Sequence, residues 1–350
     1  MRRAKTNPTR CSSGRACRIL ALVAAGSTAA CAQQPPAAPA WTMVAHVKVG
    51  QTPGPVTLGG RWAFVPNMSD GTVTQIDRGT GKVVATITVA DPHVLRDQGC
   101  APDSVHAYYS GSWGWRACDT PYAIAWDGSS LWALDNGRTR LVRVDPASHQ
   151  SADEITLPGT GWAVAIGGST AWVSGFAIDH SLYQVDLTAR RFVATIGDLD
   201  EGPASLAVDP SGVWVACARA GAGHLDRIDP ATGRVAGRYV IEWWSSTTTA
   251  YAGNLYIRGS MGGDISRVNG TTGAVDWSRA GPGFIGRQGI DQLGAAADGI
   301  WLGGPTTTRY ELATGRVAEK LQVSSTSVAA GANELWLVLL DGSVAEFKKK

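Results

Sequence analysis

The stretch M-V-A-H-V-K-V-G, Met43 to Gly50, decides the fold of this chain. Its core, V-A-H-V-K-V, repeats the apolar pattern of V-A-T-I-T-V at Val84–Val89 and nearly its letters. At Val84 the strand is the last element of a repeat unit that began with another strand and a turn. At Met43 only a proline-rich run precedes it. A chain that opens on the final strand of a repeat directs attention to its other end.

One phrase recurs along the sequence, so self-similarity is the first thing to measure. It is an apolar pair with an aromatic, a loop, a short alternating strand ending in an acid or amide, and a T-G-R-V-like turn. The aromatic anchors are Phe64, Trp132, Trp172, Trp214, Tyr256, Trp301 and Trp336, at gaps of 68, 40, 42, 42, 45 and 35. Only the first gap is anomalous, and it contains an extra segment, 90–121. Without it the period is about 40, the length of one four-stranded propeller blade.

Each unit divides into four strands. The first is small and apolar, as in A-I-A-W, A-V-A-I and S-L-A-V, and suits a crowded central axis. The second carries the anchor, where diverging blades leave a wedge to fill. The third alternates, as in T-V-T-Q-I-D, L-V-R-V-D and L-D-R-I-D, and runs into turns such as D-P-A-T-G-R. Asx, Pro and Gly stand where tight turns want them. Period-2 alternation between turn clusters, with no helical stripe, makes the chain all-β. The acids Asp77, Asp145, Asp186, Asp229 and Glu311 recur at this turn, and such regularity points to turn-making rather than catalysis.

Seven anchors set seven blades. The seventh unit stops on its third strand, S-V-A-E-F-K, and Met43–Gly50 supplies the missing fourth. The expected fold is therefore an all-β, seven-bladed β-propeller. Its N-terminal strand completes the C-terminal blade, so no sheet edge lacks its neighbour.

Ahead of the propeller, 1–30 has the form of a signal peptide. Arg2, Arg3, Lys5, Arg10, Arg15 and Arg18 precede the apolar run Ile19–Ala30. That run is too short to span a bilayer. Cys31 follows in S-T-A-A-C-A, similar to a bacterial lipobox except that Thr28 stands where Leu is usual. Lipidation of Cys31 is the expectation, and cleavage without lipidation is the alternative. Residues 31–40 are the lipid-attachment cysteine and a Pro/Ala tether, and 41–350 are the propeller. Either way the protein is expected to be exported, as an outward-facing membrane lipoprotein or as a secreted protein. Removing the six basic residues of the signal from the chain's 31 leaves 25 against 29 acids. That balance gives no footprint for nucleic acid or anionic lipid, so the membrane enters only through the anchor. Outside the cytoplasm Cys100 and Cys118 are expected to form a disulfide, adding roughly 3 kcal/mol. Cys217, in V-W-V-A-C-A, is a buried, inert thiol.

The repeats, with W-V beside I-D-P-A-T-G-R-V, resemble YVTN/NHL-type propeller proteins and, more loosely, streptogramin-lyase-like propellers. The resemblance spans nearly all of Trp41–Phe347 and implies fold far better than chemistry. Streptogramin lyases carry T-E-x-x-x-N-x-I-G-R phrases and a metal-linked His/Glu cluster. The corresponding Leu134–Asp145, L-D-N-G-R-T-R-L-V-R-V-D, shows no such phrase, so no catalytic residue is carried over. Nothing resembles the tryptophan-docking repeats of quinone-dependent dehydrogenases.

Candidate binding residues lie in the loops at one end of the channel. The longest loop, Asp91–Pro121, holds His93, His106, Tyr108, Tyr109, Trp113 and Trp115. These rings form either a recognition surface or the packing of the loop onto its own blade. Of the adjacent Trp243 and Trp244, at most one is core, because neighbours in a strand face opposite sides. Arg287 and Asp291 lie in a glycine-rich stretch best explained by turn chemistry. Arg138, Arg219 and Arg258, with His180 and His224, either form a cationic mouth or pair with Asp135, Asp179 and Asp226 on the rim. There is no H-x-H, H-E-x-x-H, C-x-x-C or G-x-S-x-G, so no metal or cofactor is expected from local spacing. The leading functional expectation is a monomer that binds a protein, peptide or glycan through its channel-face loops. The alternative is a lyase, cyclase or hydrolase acting on a small secreted molecule, with His180 or His224 as base and an arginine as oxyanion stabiliser.

Overall fold

The computed structural model describes residues 40–91, 121–175, 180–200, 202–219, 222–241, 245–259, 263–283 and 292–350. Among them are 28 strands in seven four-stranded antiparallel sheets, the blades of a β-propeller, and no helix. The first strand, β1 (Trp41–Lys48), pairs with nothing near it in sequence. Blade one is β2 (Thr57–Gly59), β3 (Trp62–Asn67), β4 (Thr72–Asp77) and β5 (Lys82–Thr88). Blade two is β6 (Pro121–Trp126), β7 (Leu131–Asp135), β8 (Arg140–Asp145) and β9 (Gln150–Thr156). Blade three is β10 (Gly161–Gly167), β11 (Thr170–Gly175), β12 (Leu182–Asp186) and β13 (Arg191–Ile196). Blade four is β14 (Pro203–Asp209), β15 (Gly212–Arg219), β16 (Ala222–Asp229) and β17 (Arg234–Ile241). Blade five is β18 (Ser245–Tyr251), β19 (Asn254–Gly259), β20 (Ile265–Asn269) and β21 (Val275–Arg279). Blade six is β22 (Gly294–Ala296), β23 (Gly299–Leu302), β24 (Thr307–Tyr310) and β25 (Val317–Leu321). Blade seven opens with β26 (Ser325–Ala330), β27 (Glu334–Leu339) and β28 (Ser343–Lys349).

The fourth strand of blade seven is β1, in the sheet order β1-β28-β27-β26. It runs antiparallel to β28, with Trp41 opposite Lys349 and Val47 opposite Val344. Trp41 turns into the seam with blade six and Val47 into the seam with blade one, and the bulge at Met43–Ala45 between them leaves Val44 51% exposed. Both faces of the resulting seam are fastened to blade one. On one face Gly50 N donates to Asn67 Oδ1 at 3.0 Å and Gln51 N to Asp70 Oδ2 at 2.6 Å. On the other, Arg78 pairs with Glu334, and Lys348 Nζ donates to the Arg78 carbonyl at 3.3 Å.

The core is divided into seven apolar clusters, one in each seam between blades. Every anchor packs against the next blade: Trp132 with Val173 and Tyr183, Trp214 with Leu255 and Ile257, Trp336 with Ala63 and Val65. First strands pack side by side around the axis. A Cβ added to Gly161 would lie 2.5 Å from Val173 and 2.9 Å from Leu134, which shows why small residues occupy these strands.

The turn acids are turn-makers. Asp145 Oδ1 accepts the Ala147 N–H at 2.8 Å, and Asp229 Oδ1 the Ala231 N–H at 2.8 Å. These backbone donors hold both carboxyls below the usual aspartate range. The residue four places after the acid, or after Asn269 in blade five, takes a left-handed backbone, which explains glycine at Gly81, Gly233, Gly273 and Gly315. His149 and Arg190 adopt it without glycine's freedom, at φ of 60° and 53°.

Candidate functional site at the loop face

Antiparallel meandering sorts the connections onto two faces. Links between first and second strands and between third and fourth form a turn face, whose longest connection is 311–316. The opposite loop face carries 89–120, 280–293 and 49–56. The internal stretches outside the described residues all link strand ends at this loop face.

Many of the residues singled out from sequence belong to those stretches. His93, Cys100, His106, Tyr108, Tyr109, Trp113, Trp115, Cys118, Asp179, Trp243, Trp244, Arg287 and Asp291 lie outside the described residues, as does Cys31 with the signal and tether. Of Arg219, only the backbone is described, at the end of β15.

The described arginines do not pair as the rim reading expects. Arg138 meets Asp91 at 3.3 Å, whereas Asp135 accepts from Arg140 Nε at 2.8 Å. Asp135 is fully buried at the end of β7, directly opposite Arg140, the first residue of β8. Arg258 is 1% exposed and donates from Nη2 to the Gly283 carbonyl at 2.7 Å, between blades five and six.

His180 and His224 are brought to one place. Both reach the connection between blades three and four. His180 Nδ1 lies 3.2 Å from the Leu199 carbonyl, and His224 Nδ1 lies 3.1 Å from Asp200 Oδ2. The second contact has ion-pair distance without hydrogen-bond alignment. The same connection is fastened from below. Asp200 N donates to Asp226 Oδ2 at 2.9 Å, and Arg238 meets Asp226 at 3.4 Å and Asp198 at 3.3 Å. Asp226 is fully buried, and burial pushes its pKa up against the opposing Asp200 N–H and Arg238. Cys217, opposite His224 in register, is free and buried, and burial followed by the Asp226 and Asp200 charges raises its thiol pKa steeply. It is inert, as its strand context implies.

Chemically this is a histidine–carboxylate pair above a buried carboxyl, about one-fifth exposed at both His224 and Asp200. Such a pair can move a proton or hold a cationic or hydroxyl group. Asp200 and Arg238 escaped sequence reading. The signal that finds the cluster is Asp226 itself, at a repeat position held by Thr74, Val142, Tyr183 and Thr308 elsewhere. Among the described residues no group of three or more His, Cys, Asp or Glu is placed to hold a metal ion.

No protein-family model matches the chain, and no curated protein matches it. Among solved structures it is similar to a chain of the hydrazine synthase of Kuenenia stuttgartiensis, with a TM-score of 0.59 and 17% identity. The match covers 86% of this chain and 97% of that one. At such low identity the likeness is one of fold alone, and it sets the chain beside other β-propellers.

Proposed function

We propose that the chain is an exported, lipid-anchored propeller that captures a protein, peptide or glycan at the cell envelope through its loop face. The observation that carries this reading is the asymmetry of the two faces. One is built from short, self-satisfied turns, and the other bears every long connection, where binding residues on rigid scaffolds concentrate. The test is capture from an envelope extract by wild-type protein and by a variant with 92–120 replaced by a short Gly-Ser link, with circular dichroism confirming the fold. Loss of the specific partner in the variant supports the proposal, and an unchanged partner set refutes it. Detergent partition and mass spectrometry of the mature N-terminus test the lipid on Cys31.

The His224–Asp200 contact favours a second reading, in which the loop face is also catalytic with His224 as base. Turnover of chromogenic ester and glycoside substrates by wild type and by H224Q separates the two. Equal rates would remove the catalytic reading.

A further inference from the structure

The repeat allows each seam to be compared with its equivalents. In every blade the anchor faces one residue of the third strand: Gln75, Arg143, Arg227, Arg267 and Arg309 among them. In blades one and five that residue reaches across the seam to the next blade's turn. Gln75 Nε2 donates to the Pro146 carbonyl at 3.0 Å, and Arg267 Nη1 to the Leu312 carbonyl at 3.3 Å. In blades four and six it folds over its own anchor. Arg227 lies 5.5 Å from the Trp214 ring centre and Arg309 5.7 Å from that of Trp301. Either choice fills the seam on the turn face.

Blade two makes neither choice. Arg143 pairs outward with Asp153 on β9, at 2.7 Å, as Arg267 does with Asp276 and Arg309 with Glu319, but here Arg190 of blade three also binds the other carboxylate oxygen, at 3.0 Å. Arg190 occupies the left-handed turn position that glycine takes in four other blades. A cleft of about 400 Å3 lies between blades two and three, lined by both arginines. That volume lies within the range of small-ligand sites.

Its chemistry selects a ligand class. Trp132 and Leu187 lie beneath it, both buried, and the lining carries the hydroxyls of Ser129, Ser169 and Thr188. Charge is balanced, because Arg143 and Arg190 stand against Asp153 and Asp127. Burial works to raise the Asp127 pKa. Ser130 N–H, the Trp132 indole and the Ser129 donors outweigh it and keep the carboxyl ionised and occupied. Ser169 and Thr188 hydroxyls have no side-chain partner among the described residues, and Arg190 commits only Nη1. Groups that both donate and accept, without net charge, match a ligand that does the same.

We propose that this turn-face cleft binds one ring of a neutral glycan. The hydroxyls of Ser169 and Thr188 and the free guanidinium edge of Arg190 hold its hydroxyls. The site is independent of the loop face.

Saturation-transfer NMR with glucose, galactose, mannose and N-acetylglucosamine, and with glucuronic acid as the charged comparator, tests it. At least one neutral sugar should bind, insensitive to added salt. The plugging variants S169F and T188F, checked for unchanged melting, should each weaken it by at least about tenfold. Shortening 92–120 should leave it intact, which separates this site from loop-face capture. Absence of signal from all four neutral sugars, salt-sensitive binding of glucuronic acid alone, or unchanged binding in a folded S169F would each overturn it.

Discussion

Replacing Val47 by alanine removes two methyl groups from the seam that closes the ring. Val47 is 7% exposed and packs with Val56, Val65, Trp336 and Val344. At about 0.8 kcal/mol per methyl-sized group the transfer loss is about 1.6 kcal/mol. The cavity left behind brings the cost to roughly 2–3 kcal/mol. The same change at Val44, 51% exposed on the same strand, should cost under about 0.5 kcal/mol. For roughly 310 residues the unfolding entropy is about 0.65 kcal/mol/K, so V47A should lower Tm by about 3–5 °C. Urea and thermal unfolding followed by circular dichroism measure both variants. A V44A as costly as V47A, or a V47A within about 0.5 kcal/mol of wild type, would refute the closing role of β1.

Acidification should loosen the same seam through Glu334. Burial raises its pKa, but Arg78 and the Trp336 indole hold it below 4.5, so its stabilisation is present above that pH and fades as pH falls through the lowered value. E334Q should flatten unfolding free energy against pH in that acidic window, and a slope identical to wild type would exclude the ion pair as its source. Asp226 has the opposite sign. With its pKa raised by burial, the fold favours the protonated acid, and that contribution is lost as pH rises through the raised value. D226N should therefore show a smaller decline in stability as pH rises above the ordinary aspartate range, and an unchanged decline would contradict the assignment. Cys217 should react with a thiol reagent only upon unfolding, and rapid labelling of the native protein would show that β15 is not packed as described.

The loop-face cluster shows where sequence reading stops. His180 and His224 were recognisable as candidates, but their common attachment to 198–200 was not, because they belong to different blades and meet through a third segment. Arg138 and Arg140 lie two residues apart, yet only Arg140 reaches buried Asp135. Which of two adjacent cations takes an acid depends on where a strand begins, and that is a matter of backbone path.

By itself the sequence determined the class, the blade count, the closing strand and the acid-led turns. Those follow from local physics: period-2 alternation, left-handed turn positions and an anchor that recurs about every 40 residues. Tertiary structure alone decided how each seam is filled. Gln75, Arg143, Arg227 and Arg309 hold equivalent repeat positions, yet one bridges to the next blade, one is drawn outward, and two cover their own tryptophans. Each choice is a competition among acceptors on neighbouring strands and blades. Distances across a seam set its outcome, and spacing along one chain does not contain them.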